Sequence, residues 1–193
     1  MSGLNLLEQR ILTDGKVYPG TVLKVNSFLN HQLDVKLLTE MGKEFKKLYN
    51  DCEVTKILTI EASGIGLACV TAQFFDCPVL FAKKEATSNL SQSVYHARIH
   101  SYTHGNDYEA VVESRFLTKE DKVLLIDDFL ASGEALNGLI ELCRQAGAEV
   151  VGCGIAVEKT FQGGGNDLRA KGIRVESLAM VSSLADGKIE FEK

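Results

Sequence analysis

What this 193-residue chain lacks already excludes several kinds of chemistry. Its five cysteines, Cys52, Cys69, Cys77, Cys143 and Cys153, include no CxxC pair, and thiolate metal sites rely on such close spacing. Their number is odd, and each sits in or beside an apolar run, which fits reduced thiols better than a disulfide framework. No run approaches the ~20 apolar residues that a membrane-crossing helix needs. The first residues, MSGLNLLEQRILTDG, carry charges inside their apolar run and form no signal-peptide core. A cytoplasmic protein without a membrane partner is expected. Positive charge is short too: 21 Lys and Arg against 26 Asp and Glu leave a net charge of -5. Nucleic-acid binders usually show a basic face or tail, so no nucleic-acid partner is expected. A local phosphate site stays open, because backbone amides and a few lysines suffice to make one. The GxxxxGK[ST] signature is absent, which removes the P-loop nucleotide hydrolases.

Apolar residues make up 45% of the chain, enough for a core at this length, and the length suits one domain, 1–193. Leu4, Leu7 and Ile11 recur at helical spacing ahead of Gly15. Residues 17–25 predict extended chain broken at Pro19-Gly20, and 26–32 a polar loop. Asp34 can cap a helix whose apolar face is Leu37, Leu38, Met41, Phe45 and Leu48. Apolar strands then alternate with helices: strands at 56–61, 78–82, 122–127 and 149–157, helices at 65–75 and 133–146. That pattern predicts an α/β fold, a parallel sheet covered on both faces, with ligands beyond the carboxyl ends of the strands. Between 83 and 119 the alternation stops. EATSNLSQ at 85–92 is polar, and 94–102 and 108–114 predict two strands joined by HGND at 104–107. This reads as a loop-and-hairpin insertion rather than a second domain.

The most informative stretch is VLLIDDFLASGEA at 123–135. An apolar strand ends in Asp127-Asp128, and the small residues Ala131-Ser132-Gly133 then open a helix at Glu134-Ala135. Successive N–H groups in a tight turn at a helix start converge on one point, where the helix dipole also favours an anion. Small side chains let a phosphate reach the backbone, and Ser132 adds a hydroxyl. Adjacent carboxylates suit sugar hydroxyls or a hydrated Mg²⁺. A dinucleotide fold would use Gly64-Ile65-Gly66, but Cys69 stands where glycine or alanine is wanted. The acid expected ~20 residues on is replaced by Lys83-Lys84, with Glu85 adjacent.

The thirteen residues 123–135 resemble the phosphoribosyl pyrophosphate (PRPP) motif of the type I phosphoribosyltransferases. VLKVNSFLNHQ at 22–32, TIEASGI at 59–65, FAKK at 81–84 and VEKTFQ at 157–162 are similar to the xanthine branch of that family. The likeness runs from about residue 4 to about residue 191. It implies the type I fold, a parallel-sheet core with a hairpin insertion and a small hood over the base. It also implies transfer of phosphoribose from PRPP, with Mg²⁺, to N9 of xanthine, giving XMP and pyrophosphate in purine salvage. Asp127 and Asp128 would hold the ribose hydroxyls, and Ala131, Ser132, Gly133, Glu134 and Ala135 the 5-phosphate. Glu61, Ala62, Ser63 and Gly64, with Lys83 and Lys84, would face pyrophosphate, although two lysines there also suit a solvated strand end. Leu23, Asn30 and Lys159 would contact the purine. Leu23 also suits plain core packing, Asn30 an Asx turn, and Phe161 either base stacking or the core. No protein side chain is assigned as a metal ligand. A homodimer is implied, with 85–102 closing over the site. Guanine or hypoxanthine as the base, or a non-catalytic PRPP-sensing regulator, are the competing readings.

Glu134 departs from the pattern, since the wider family prefers glycine or threonine there and the xanthine branch glutamine. A carboxylate beside a phosphate costs about 1 kcal/mol at an exposed site, while a Glu in a first helical turn favours the dipole. Glu134→Gln is therefore expected to tighten PRPP binding or leave it unchanged in a calorimetric titration. Severalfold weakening would mean that the carboxylate makes a contact of its own.

Overall fold

The computed structural model describes residues 5–85, 93–101 and 106–192. The expected polar segment at 86–92 and the hairpin connection at 102–105 lie outside the described residues.

Helix α1 (Leu6–Asp14) starts at a reciprocal cap. The Asn5 side chain accepts from the Glu8 N–H at 2.9 Å, and Glu8 accepts from the Asn5 N–H at 2.8 Å. Strands β1 (Lys16–Tyr18) and β2 (Val22–Lys24) pair antiparallel around the break at Pro19-Gly20. Residues 26–30, expected as a polar loop, wind into a π-helical turn instead. Phe28 and Leu29, 0% and 1% exposed, are drawn into the core, and a wide turn buries them while keeping backbone groups bonded. Thus the Gln32 N–H donates to the Asn26 carbonyl at 2.8 Å. Helix α2 (Val35–Leu48) begins at Asp34, whose carboxylate accepts from the Leu37 N–H at 3.2 Å and meets Arg10 of α1 at 2.9 Å.

The remaining strands are β3 (Lys56–Ile60), β4 (Val79–Glu85), β5 (Val94–Ser101), β6 (Asn106–Glu113), β7 (Lys122–Leu130), β8 (Glu149–Lys159), β9 (Val175–Ser183) and β10 (Glu190–Phe191). They form one sheet in the order β10-β9-β8-β7-β3-β4-β6-β5. The run β9-β8-β7-β3-β4 is parallel, and the outer strands join antiparallel. Helices α3 (Gly64–Phe75), α4 (Glu134–Ala146) and α5 (Gly164–Ala170) follow β3, β7 and β8.

Strand residues alternate between two faces. Ile57, Leu124 and Ile126 pack on one side with Ile11, Leu38, Phe45 and Leu67 from the first three helices. Leu58, Val123 and Leu125 pack on the other with Leu136, Leu139 and Leu142 of α4 and with Ala97, Ile99 and Val112 of the hairpin. The hairpin therefore extends the main sheet, through the pairing Lys83↔Val111, rather than standing apart from it. Strands β7 and β8 also outrun their expected ends. They go on pairing through Phe129↔Val157 and Leu130↔Glu158, which holds Asp127 and Asp128 inside a hydrogen-bonded strand. Among the described residues no helix is long and apolar enough to cross a membrane.

Candidate active site

The carboxyl ends of β3, β7 and β8 open into a cleft of about 1000 Å³, the position where sheets of this kind bind ligands. Three groups of residues line it.

The first is the acid pair with the turn. Asp127 and Asp128 are 5% and 7% exposed, and the Asp128 N–H donates to Asp127 Oδ1 at 2.9 Å. Burial, reinforced by the neighbouring Asp128 carboxylate, pushes the Asp127 carboxyl well above its ordinary range, and Lys84 pulls it only partly back. All five turn residues, 131–135, face the cleft. Gly133 takes φ +87°, a left-handed conformation that suits glycine, and α4 starts at the next residue. The turn's N–H groups thus sit directly at a helix start.

The second group comes from the loop after β3 and from β4. Glu61, Ser63 and Lys84 line the cleft. Glu61 Oε1 accepts from the Lys84 N–H at 2.5 Å, and the Lys84 ammonium lies 5.0 Å from the Tyr108 ring centre. The Glu61–Ala62 peptide is cis. Ala62 is exposed off the cleft wall, and Gly64 is buried beneath it. A Cβ on Gly64 would lie 2.2 Å from Thr59 Oγ1 and 3.2 Å from Asp127 Oδ1, so the absent side chain lets the loop settle against the acid pair. Lys83, expected beside Lys84, is not on the wall, because consecutive strand residues face opposite ways.

The third group covers the other end: Gly20 to Leu23 of the β1–β2 hairpin, Asn30, Phe129, Lys159 and Gln162. Leu23, 5% exposed, belongs to the core and to the cleft wall at once. Asn30 Oδ1 is buried without a hydrogen-bond partner among the described residues, as expected of an atom awaiting a ligand. Lys159 Nζ donates to the Thr21 carbonyl at 3.1 Å and lies 5.6 Å from the Phe129 ring centre. Burial pushes its ammonium below the usual lysine range. Phe161 is 41% exposed and off the wall, so the structure puts it in neither of its expected places.

Sequence reasoning passed over Phe129, Tyr108 and Gln162. Phe129 had a signal, an aromatic lodged between the acid pair and the turn. Tyr108 had none, because its place depends on how β6 pairs with β4. Burial, then the nearby Asp127, pushes its phenol upward.

Residues 25–171 match the phosphoribosyl transferase domain model. The chain belongs to the phosphoribosyltransferase family. It is 53% identical over 189 residues to a xanthine phosphoribosyltransferase of Clostridium novyi (strain NT), covering 98% of this chain and 100% of the relative. It is likewise 53% identical over 188 residues to a xanthine phosphoribosyltransferase of Ruminiclostridium cellulolyticum, covering 97% and 99%. Its fold is similar to that of an adenine phosphoribosyltransferase from Rhodothermus marinus DSM 4252, with TM-score 0.72, 24% identity and coverage of 91% and 98%.

In this phosphoribosyltransferase the raised Asp127 carboxyl has a consequence for stability. An acid raised on folding contributes most below its unfolded value, and that contribution is lost as pH rises through the folded value. Asp127→Asn removes the penalty. The ligand-free variant is expected to melt above the parent at pH 7, and the two melting temperatures to converge near about pH 4. Differential scanning fluorimetry across that range checks it. Melting below the parent at pH 7 would refute a buried, repelled carboxylate.

Proposed function

We propose that this chain transfers phosphoribose from PRPP to N9 of xanthine, and that the three lining groups divide the substrates between them. One observation carries the assignment of roles: a glycine-bent turn at a helix start, a buried acid pair, an amide with an unpartnered oxygen and a half-buried lysine all line one cleft. The full-length likeness to relatives named for xanthine supports the choice of base.

In this reading the N–H groups of 131–135 receive the 5-phosphate, and Asp127 and Asp128 accept from the ribose hydroxyls. Lys84, with the backbone around Glu61 and Ser63, meets pyrophosphate. Ala62 and Gly64 act by shaping that loop, and Lys83 adds charge from off the wall. The base lies between Leu23 and Phe129, with Asn30 and Lys159 at its polar edge. As the bond to pyrophosphate breaks, positive charge grows on the ribose and negative charge on the leaving group. Fixed charges placed where those charges develop lower the barrier, and holding two substrates in one cleft removes much of the entropic cost of their meeting.

Among the described residues no cluster of three or more His, Cys, Asp or Glu stands ready to hold a metal ion. The repelling pair Asp127–Asp128 still fits a hydrated Mg²⁺ carried largely by the oxygens of PRPP. When bound, that ion neutralises charge on the departing pyrophosphate. We further propose that the chain works in the cytoplasm, as one domain within a homodimer. Family resemblance and the 85–115 insertion support the dimer, and a sedimentation mass near 21.1 kDa at micromolar concentration would contradict it.

Base choice gives the direct test. Lys159 can only donate. It serves a 6-oxygen on xanthine, guanine or hypoxanthine, and finds no acceptor in the 6-amino group of adenine. At the 2-position, Asn30 can donate to xanthine's carbonyl or, with its amide turned, accept from guanine's amino group, so the resemblance tips the choice. Xanthine is expected to give the highest kcat/KM at fixed PRPP, guanine and hypoxanthine lower values, and adenine none. A guanine value equal to xanthine's would overturn the substrate and leave the family standing. Asp127→Asn and Asp128→Asn should each lower turnover by about tenfold or more. Near-normal rates in both at saturating PRPP would remove the acid pair from the mechanism.

A further inference from the structure

Three consecutive glycines, Gly163, Gly164 and Gly165, follow the strand that ends at Lys159. They have no part in the substrate contacts above, yet the structure allows little else at two of them. A Cβ on Gly164 would lie 2.4 Å from the Ala131 carbonyl oxygen, 2.5 Å from the Ser132 carbonyl carbon and 2.6 Å from the Gly133 nitrogen. The backbone of α5 therefore lies directly against the back of the 131–135 turn. The Gly164 N–H donates to the Ala131 carbonyl at 3.1 Å.

That one hydrogen bond has a directional effect. The Ala131–Ser132 peptide is planar and trans, so its carbonyl and its N–H point opposite ways. Drawing the Ala131 carbonyl back towards α5 turns the Ser132 N–H away from α5.

The position of α5 is itself tied to an ion pair whose carboxylate is buried and whose guanidinium is partly exposed. Glu158, 1% exposed, accepts from Arg169 of α5 through both nitrogens of its fork, at 2.8 and 2.7 Å, and from Ser177 of β9 at 2.5 Å. Burial alone would raise the Glu158 carboxyl, but the guanidinium and the hydroxyl outweigh it and hold the group below its usual range. Arg169 also donates to the Val175 carbonyl, at 3.3 Å from Nε and 3.2 Å from Nη2. A Cβ on Gly165 would fall 1.9 Å from Glu158 Oε1, so the second glycine lets the helix close onto the pair. Glu158 in turn stands opposite Leu130, the last strand residue before the turn.

We propose that Gly164, Arg169 and Glu158 are positioning residues for PRPP: they hold α5 behind the turn and so aim its N–H groups at the 5-phosphate. This rests on the reading of 131–135 as the phosphate turn. A general contribution to stability would lower the melting temperature and leave substrate affinities alone. A positioning role moves PRPP selectively.

The experiment titrates PRPP with Mg²⁺, without base, into the parent, Gly164→Ala, Arg169→Lys and Gly133→Ala, and then measures kcat and KM for both substrates. Misplacing binding groups by a fraction of an ångström should weaken PRPP about tenfold in Gly164→Ala and severalfold in Arg169→Lys. Arg169→Lys keeps the charge and loses the two-pronged contact. The xanthine KM should stay within about twofold. Should Gly164→Ala not fold, Arg169→Lys carries the decision. PRPP affinity within about twofold of the parent in a folded variant, or equal losses for both substrates, overturns the positioning role. Gly133→Ala alters the turn directly. If it too leaves PRPP affinity unchanged, the turn is not the phosphate site and the underlying reading falls as well. If it weakens PRPP while the α5 variants do not, only the positioning role falls.

Discussion

Asp127 and Asp128 stand side by side on a strand in the middle of the sheet, 5% and 7% exposed, and the site depends on holding them there. Like charges that cannot reach water repel strongly, and a freer backbone would swing them apart. Strand β7 opposes this: it is paired with β3 as far as Leu125, and on the β8 side its pairing runs on past the acid pair to Leu130. Val123, Leu124, Leu125 and Ile126, each 0% exposed, anchor the strand just before the pair. The fold accepts the cost of burying two adjacent acids, and a ligand that brings hydroxyl donors or a cation would offset it. Strain or cost stored at a site in this way is general where binding is its purpose.

The two ends of the cleft are built by different means. The end proposed for the phosphate is backbone: a left-handed glycine, a helix start and a second helix pressed behind them. Backbone geometry is set by packing and is hard to perturb from the surface. The end proposed for the base is side chains from the β1–β2 hairpin, the 26–30 turn and the ends of β7 and β8, with the hairpin tip joined to Lys159 through the Thr21 carbonyl. An ammonium has three donors, so Lys159 can keep that bond and still serve a base oxygen. Its burial favours the neutral form and so increases the gain from a new acceptor.

Much of this was legible from the residues. Apolar runs at 56–61 and 122–127 marked parallel strands, and the Asp-Asp pair followed by small residues marked the turn that lines the cleft at the start of α4. What escaped has physical causes. The π-helical turn at 26–30 answers to burial of Phe28 and Leu29, a tertiary demand that local polarity hides. Lys83 and Lys84 are alike in sequence, and only the register of β4 with β6 decides which one meets the cleft. The strands ran past their expected ends because pairing with a neighbour, not apolar content, determines where a strand stops. Gly163 to Gly165 read as a short turn, since the backbone that Gly164 makes room for lies some thirty residues earlier in the chain.

Glu134 shows why backbone recognition tolerates side-chain change. In the first turn of α4 its carboxylate gains about 0.3–1 kcal/mol from the helix dipole. Beside a bound phosphate this half-buried carboxylate would lose about 1 kcal/mol or more. The two terms partly cancel, and neither touches the N–H groups proposed to receive the phosphate. At Gly133 no such cancellation is available, because the left-handed φ of +87° sets where those N–H groups point. A side chain there strains the turn itself. On the proposed reading, residues whose side chains line the turn can therefore vary, while those that set its backbone, in the turn and behind it, cannot be exchanged without moving the phosphate.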